Sequence, residues 1–323
     1  MNNELVKVEF LKKHFSLKSG LFNKDKSIVK AVDDLNFSIV KGETLGLVGE
    51  SGCGKSTTGK MLLRLLEPTS GKVYFKGEDL TAKSGKELLD MRRNLQMIFQ
   101  NPYGSLNPKM TLKRILEEPL KIHGINSNKR EKRIKGLLNY IGLSASCLSR
   151  YPREFSGGQL QRIAIARSLA LNPEFIVADE PVSALDVSIQ AQILNLLIDL
   201  QKELNLTYLF ISHDLSVVQY ISDRVGVMYL GKMVELSDCE SVYSNPLHPY
   251  TKVLLSAVPG IDPEKKTQKI NIKVGNENHK RTNNGCRFSD RCNQKLAICT
   301  EEEPIFKEYT KGHFVACHLY NKK

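Results

Sequence analysis

Apolar residues alternate with polar ones at Val6, Val8 and Phe10 and again at Leu35, Phe37 and Ile39, and short apolar runs follow in TLGLVG (44–49) and KVYFKG (72–77). A period of two is the signature of strands with one buried face, so the opening third of the chain is predicted to be β-rich. From about 110 to 171 the spacing lengthens to three and four residues in TLKRILEEPL, RIKGLLNYIGL and QLQRIAIARSLAL, which predicts helices. Two compact apolar runs come next, FIVAD (175–179) and TYLFIS (207–212). Between them lies a segment with Ile193, Leu196, Leu197, Leu200 and Leu204 on one helical side. Strand, helix, strand implies a parallel βαβ core and an α/β fold. RVGVMYLGKMVEL reads as further β structure, and the prolines of NPLHPYTKVLLSAVP bracket a short helix. Residues 259–284 are polar and without period, a linker to a segment at 285–323.

The 323 residues suffice for one large domain and a smaller appendage. No apolar run approaches the roughly 20 residues of a membrane span, and MNNELVKVEF is not a secretory signal. A cytoplasmic protein is therefore expected. Lysine and arginine number 47 against 35 acidic residues, a formal charge of +12 that favours anionic partners without choosing among them. The densest basic run, NKREKRIKG (128–136), reads as a solvated helix face.

GESGCGKST, Gly49 to Thr57, fits the G-x-x-x-x-G-K-[ST] pattern directly after an apolar strand and directly before the helical KSTTGKMLLRLL. In that setting the backbone N–H groups of Gly49, Ser51, Gly52, Cys53 and Gly54 and the helix start at Lys55, Ser56 and Thr57 converge on one set of phosphates. Lys55 is expected to neutralise the β and γ phosphates and Ser56 to hold Mg²⁺, with Cys53 filling the loop. FIVADEP ends a buried strand in Asp179 and Glu180, where a Mg²⁺-associated carboxylate and a water-activating carboxylate are needed. His213 closes the next strand as a candidate γ-phosphate sensor, and Gln100 closes MIFQ as a candidate contact to the metal or the attacking water.

A second glycine-bearing helix start lies in EFSGGQLQR (154–162). Together with the P-loop, Gln100, Asp179, Glu180, SALD (183–186) and His213, it resembles, over about residues 5–258, the ATP-binding cassette of ABC transporters. The resemblance implies a RecA-like P-loop NTPase core with an N-terminal antiparallel β subdomain and a helical subdomain at about 101–171. A small Cys-rich C-terminal extension would complete the chain. It also implies head-to-tail pairing of two cassettes, in which Ser156, Gly157, Gly158 and Gln159 bind the partner's ATP and Asp186 belongs to the D-loop. Phe15 falls where the family stacks an aromatic ring on adenine, with Phe22 in competition. Phe155 and Leu160 depart from the commonest motif without removing a phosphate donor.

GESGCGKST, IFQNPYGSLNPKMT, RYPREFSGGQ, VADEPVSALDVSIQAQILNLL and NPLHPYT are similar to the F-type ATPases of oligopeptide and dipeptide importers. That similarity implies ATP and Mg²⁺ as cofactors, a separate transmembrane permease and a D-type ATPase as mate. It also implies an external solute-binding protein acting indirectly, and a place on the cytoplasmic face of the membrane. Cys286, Cys292, Cys299 and Cys317 crowd the last forty residues at spacings x5, x6 and x17. Four thiols in a reduced compartment suggest Zn²⁺ or an iron–sulfur cluster, with unrelated buried or exposed thiols as the alternative; the absence of C-x-x-C counts against a zinc ribbon, and resemblance to extensions in some peptide-importer ATPases favours [4Fe-4S]. The rival class, a soluble ABC ATPase acting on nucleic acid or ribosomes, usually carries tandem cassettes or a long coiled coil. Neither is present, and nucleic acid is not an expected partner.

Overall fold

The computed structural model describes residues 3–17, 27–257 and 285–320, so Phe22 and the linker at 259–284 lie outside the described residues. Strand β1 (Glu4–Leu17) pairs antiparallel with β2 (Ser27–Val40). The chain then leaves that sheet for β3 (Thr44–Val48) and returns to it as β4 (Ser70–Phe75) and β5 (Glu78–Asp79). The resulting antiparallel sheet has the order β2-β1-β4-β5; the alternation predicts the strands, and the resemblance implies the antiparallel subdomain.

One position breaks the expected period. Phe10 is 63% exposed with φ 50°, and the register shifts between Val8 and Leu11, so that Leu11, fully buried, takes the inward place. A bulge adds one residue and flips every later side chain to the other face, which simple alternation cannot anticipate.

The second sheet takes β3 at its middle with β6 (Leu95–Ile98), β7 (Phe175–Asp179), β8 (Thr207–Ile211), β9 (Arg224–Tyr229) and β10 (Lys232–Asp238). Two late strands, β11 (Lys307–Thr310) and β12 (His313–Val315), complete the order β11-β12-β10-β9-β3-β8-β7-β6. β9, β3, β8, β7 and β6 run parallel, and all residues of β3, β7 and β8 are buried. Strands covered on both faces read as continuous apolar runs, which is why FIVAD and TYLFI lack alternation.

Helices Leu112–Ile122, Ser127–Ile141 and Gly157–Leu169 occupy the predicted helical stretch. Ile115, Leu116 and Leu120 of the first and Ile134, Leu137, Leu138 and Ile141 of the second share one core. Each such burial contributes roughly 1.5–3 kcal/mol against the entropy of ordering. Lys129, Lys132 and Lys135 of the basic run face solvent, while Arg133 turns inward to donate to the carbonyls of Leu169 and Ala170.

Residues 285–320 do not stand apart from the rest. β12 pairs with β10 through Glu235 and Leu236, so the C-terminal hairpin extends the large sheet. The fully buried Glu235 carboxylate accepts from Leu247 N at 2.7 Å, His248 N at 2.9 Å and His313 Nε2 at 2.8 Å. One anion thereby joins β10, the approach to the helix Pro249–Ser256, and β12.

Candidate nucleotide site

Parallel strands aim their C-terminal ends at one sheet edge, where open α/β folds bind ligands. Gly49 follows β3, Gln100 lies two residues past β6, Asp179 ends β7 and His213 lies two residues past β8. A cleft of about 510 Å³ at that edge is lined by Ser51, Gly52, Gly54, Lys55, Ser56, Thr57, Gln100, Glu180, His213 and Ala31.

The phosphate loop has the backbone that anion binding demands. Gly54, the N-cap of the helix Lys55–Leu62, sits at φ 111°, and a Cβ there would stand 2.2 Å from the Ala31 carbonyl oxygen. No side chain caps this helix, so its first N–H groups face the cleft. Lys55 Nζ donates to the carbonyls of Gly49 at 2.6 Å and Glu50 at 3.0 Å. Cys53 is buried behind the loop and burial raises its thiol pKa against the nearby Lys55 ammonium, consistent with a filling role.

Ser56 Oγ donates to Asp179 Oδ1 at 2.7 Å. Burial pushes the Asp179 carboxyl above its ordinary range, opposed by the Ser56 hydrogen bond and reinforced by the Glu180 charge. A hydroxyl and a carboxylate are the hard oxygen donors that Mg²⁺ takes, so the residues present fit that ion. Glu180 accepts from Gln100 Nε2 at 2.8 Å and lies 3.2 Å from His213 Nδ1. Its backbone is held at φ 46°, in the left-handed region, with its N–H donating to Ile211 O at 2.9 Å. Such a conformation costs on the order of 1 kcal/mol or more, the kind of local strain that collects at working sites.

The remaining predicted residues lie elsewhere. Ser156 is exposed at the start of the helix Gly157–Leu169, with its hydroxyl accepting from Gln159 N at 3.3 Å and Gln159 Oε1 accepting from Ser156 N at 3.0 Å. Gly157 and Gly158 pack toward Leu185 and Ile189, and Asp186 is an exposed N-cap of the helix Val187–Leu204. None of them lines the cleft of this chain. Phe15, 38% exposed on β1, also lies outside it, with the Lys13 ammonium 5.2 Å from its ring centroid.

Burial raises the thiol pKa values of Cys286 to about 11 and of Cys317 to about 12, and each feels the charge of other cysteines of the quartet. Among the described residues, however, no group of three or more His, Cys, Asp or Glu side chains is arranged to hold a metal ion. The iron–sulfur expectation thus has proximity of thiols and no ligand geometry. Protonated thiols pack as small apolar groups, and Cys286 and Cys292 do so against the main core.

Sequence reading missed Ala31, whose carbonyl limits Gly54, and it missed Glu50, whose carboxylate meets Arg291 at 2.9 and 3.0 Å. Neither has a local signature, since Glu50 and Arg291 are 241 residues apart.

A phosphate loop after β3 with paired carboxylates at the end of β7, on the far side of β8, defines a P-loop ATPase. The family profile described as ABC transporter matches residues 32–183, and that described as oligopeptide/dipeptide transporter, C-terminal region, matches residues 234–299. The chain is 53% identical over 321 residues to the oligopeptide transport ATP-binding protein AppF of Bacillus subtilis, covering 98% of each chain. It is 45% identical over 318 residues to the dipeptide transport ATP-binding protein DppF of Escherichia coli, covering 98% of this chain and 95% of that one. A dimeric post-hydrolysis structure of the ATP-binding cassette MJ0796, bound to ADP and Pi, superposes with TM-score 0.64 at 30% identity, covering 72% of this chain and 98% of that one. The chain belongs to the ABC transporter ATP-binding family, in the branch that carries the oligopeptide/dipeptide transporter C-terminal region.

Proposed function

We propose that this chain is the ATP-hydrolysing subunit of an ABC importer that powers uptake of oligopeptides or dipeptides through a separate permease. The observation that carries the reading is the convergence of Lys55, Ser56, Asp179, Glu180, Gln100 and His213 on one sheet edge, in a chain with full-length similarity to peptide-transport ATP-binding proteins. Loop N–H groups and Lys55 bind and orient the triphosphate, while Glu180 takes a proton from the attacking water and is steadied by Gln100 and His213. Ser56 and Asp179 would hold Mg²⁺, which supplies charge neutralisation on the β and γ phosphates when bound.

The exposed Ser156–Gln159 helix start is read as the donor to a nucleotide held by a second cassette, a D-type subunit in this proposal. The dimeric state of the MJ0796 cassette supports that arrangement. No helix among the described residues is long and apolar enough to cross a membrane, so attachment to the cytoplasmic face would run through the permease. An external solute-binding protein would deliver the peptide without touching this chain. The decisive experiment is peptide uptake by vesicles holding the permease and both ATPases. Uptake should require ATP and stop with Glu180→Gln; uptake that persists in that variant rejects the assignment.

We also retain [4Fe-4S] at Cys286, Cys292, Cys299 and Cys317 as a proposal, supported by their crowding into one short segment. Anaerobically purified protein should then be brown, with iron and sulfide near four each per chain. Colourless or zinc-loaded protein rejects it.

A further inference from the structure

Glu50, the second residue of the phosphate loop, uses all of its polar groups within the protein. Its carboxylate accepts both Nη atoms of Arg291, at 2.9 and 3.0 Å. Its N–H donates to Tyr250 Oη at 2.9 Å, and its carbonyl accepts from Lys55 Nζ at 3.0 Å and from Cys53 N at 3.2 Å. Arg291 and Tyr250 both come from the C-terminal region, beyond the last strand of the parallel core.

These two residues are themselves held rigidly. The Arg291 guanidinium lies 5.8 Å from the ring centroids of both Tyr229 and Phe288. Tyr250 is fully buried, 4.6 Å from Tyr229 and 5.5 Å from Phe288 between centroids. His248 Nδ1 accepts from Tyr250 N at 3.0 Å, fixing the start of the helix that carries this tyrosine. A second route reaches the same loop. Gly231 N donates to Cys53 O at 2.8 Å, and the adjoining Leu230 carbonyl accepts from Arg287, which also pairs with Asp33.

We propose that the C-terminal region holds the phosphate loop in its working shape, with Arg291 and Tyr250 as positioning residues acting through Glu50. This rests on the reading of Gly49–Thr57 as the ATP phosphate site. A planar two-toothed cation fixes the orientation of a carboxylate as well as its distance, which a lysine cannot do. Tyr250 pins the backbone of the same residue, so rotation of the loop about Glu50 is stopped from two sides. Loop amides displaced by even a fraction of an ångström bind phosphate less well, because the cradle must match the anion before it arrives.

The test is Mg-ATP affinity of the full-length chain by calorimetry, with a melting curve for every variant. Arg291→Ala should weaken binding about 3- to 10-fold, Arg291→Lys should recover only part of this, and Tyr250→Phe, which keeps the ring, should cost about 2-fold. Glu50→Gln should reproduce the Arg291→Ala loss, and the double variant should be no weaker than Glu50→Gln alone. General loosening of the fold would instead make the two losses multiply. Unchanged affinity in Arg291→Ala, or multiplying losses in the double variant, overturns the proposal. Lys55→Ala separates the two layers: if it binds ATP like the parent, the phosphate-loop reading fails and this proposal with it. If it loses binding while Arg291→Ala does not, only the proposal fails.

Discussion

The helix beginning at Lys55 follows a glycine-bearing loop, the helix beginning at Gly157 opens on two glycines, and both offer the positive end of a helix dipole. They are finished differently. The first has a left-handed glycine as N-cap and no side-chain cap, inside a cleft lined by Gln100, Glu180 and His213 and braced from the C-terminal region. The second is closed by a reciprocal capping box of Ser156 and Gln159 and stands exposed, away from that cleft. A helix end with free N–H groups in a shaped cavity is a site complete for binding. One closed by a capping box has two of its end donors satisfied by its own side chains and can exchange those bonds when an anion is brought to it. The contrast separates a helix end that stands in the cleft of its own chain from one that is proposed to meet the nucleotide of a partner.

Four experiments would break or sharpen this contrast. Glu180→Gln should lower hydrolysis by about 10²- to 10⁴-fold while leaving nucleotide binding intact. It should also trap an ATP-dependent dimer with the correct mate on a sizing column, and a monomer under all conditions would leave the second helix end without a purpose. Gly54→Ala comes next, because it must displace the Ala31 carbonyl 2.2 Å away at φ 111°. ATP affinity measured by calorimetry should fall about tenfold or more, since the N–H groups at the helix start move with the backbone.

Ser156→Ala should lower stability by about 1 kcal/mol through loss of the cap. It should leave ATP binding by the isolated chain unchanged and weaken the trapped dimer; weaker ATP binding by the monomer would mean that this end belongs to its own cleft. A further effect is one of pH. Burial raises the Asp33 pKa, but His14, Lys232 and Arg287 together outweigh it and lower the group from 3.8 to about 2. Between those values the unfolded chain binds a proton that the folded one does not, so this stabilisation is present above about pH 4 and lost as pH falls toward 2. Asp33→Asn should therefore melt a few degrees lower at neutral pH, with the difference shrinking on acidification.

Much of the cleft was legible because its chemistry is written in consecutive residues or at strand ends. Gly49 to Thr57 carry their own spacing, and Asp179, His213 and Gln100 each terminate a recognisable apolar run. The location of Ser156–Gln159 away from the cleft is compatible with the paired-cassette expectation, although its capping box needed the structure. What stayed hidden depends on distant encounters. Phe10 reads as inward until the bulge shifts the register; β11 is short and polar and β12 is only three residues long, too little pattern to announce that they join the large sheet. Arg291 resembles any surface arginine in sequence; only the packing of Phe288 and Tyr229 brings it to Glu50. The cysteine quartet shows the opposite case, a vivid sequence pattern without matching ligand geometry among the described residues.

The buried carboxylate of Glu235 sets a limit on shortening this protein. Its bond to His313 ties the terminal hairpin to the same anion that orients the start of the Tyr250 helix. A protease cut before that histidine would leave this buried carboxylate with its two backbone donors and without its side-chain partner, a loss of roughly 1–3 kcal/mol for a buried group left short of a hydrogen bond. Damage at the tail would then pass by way of Tyr250 to the fuel chamber, so that trimming the end of the polypeptide starves the motor rather than merely tidying it.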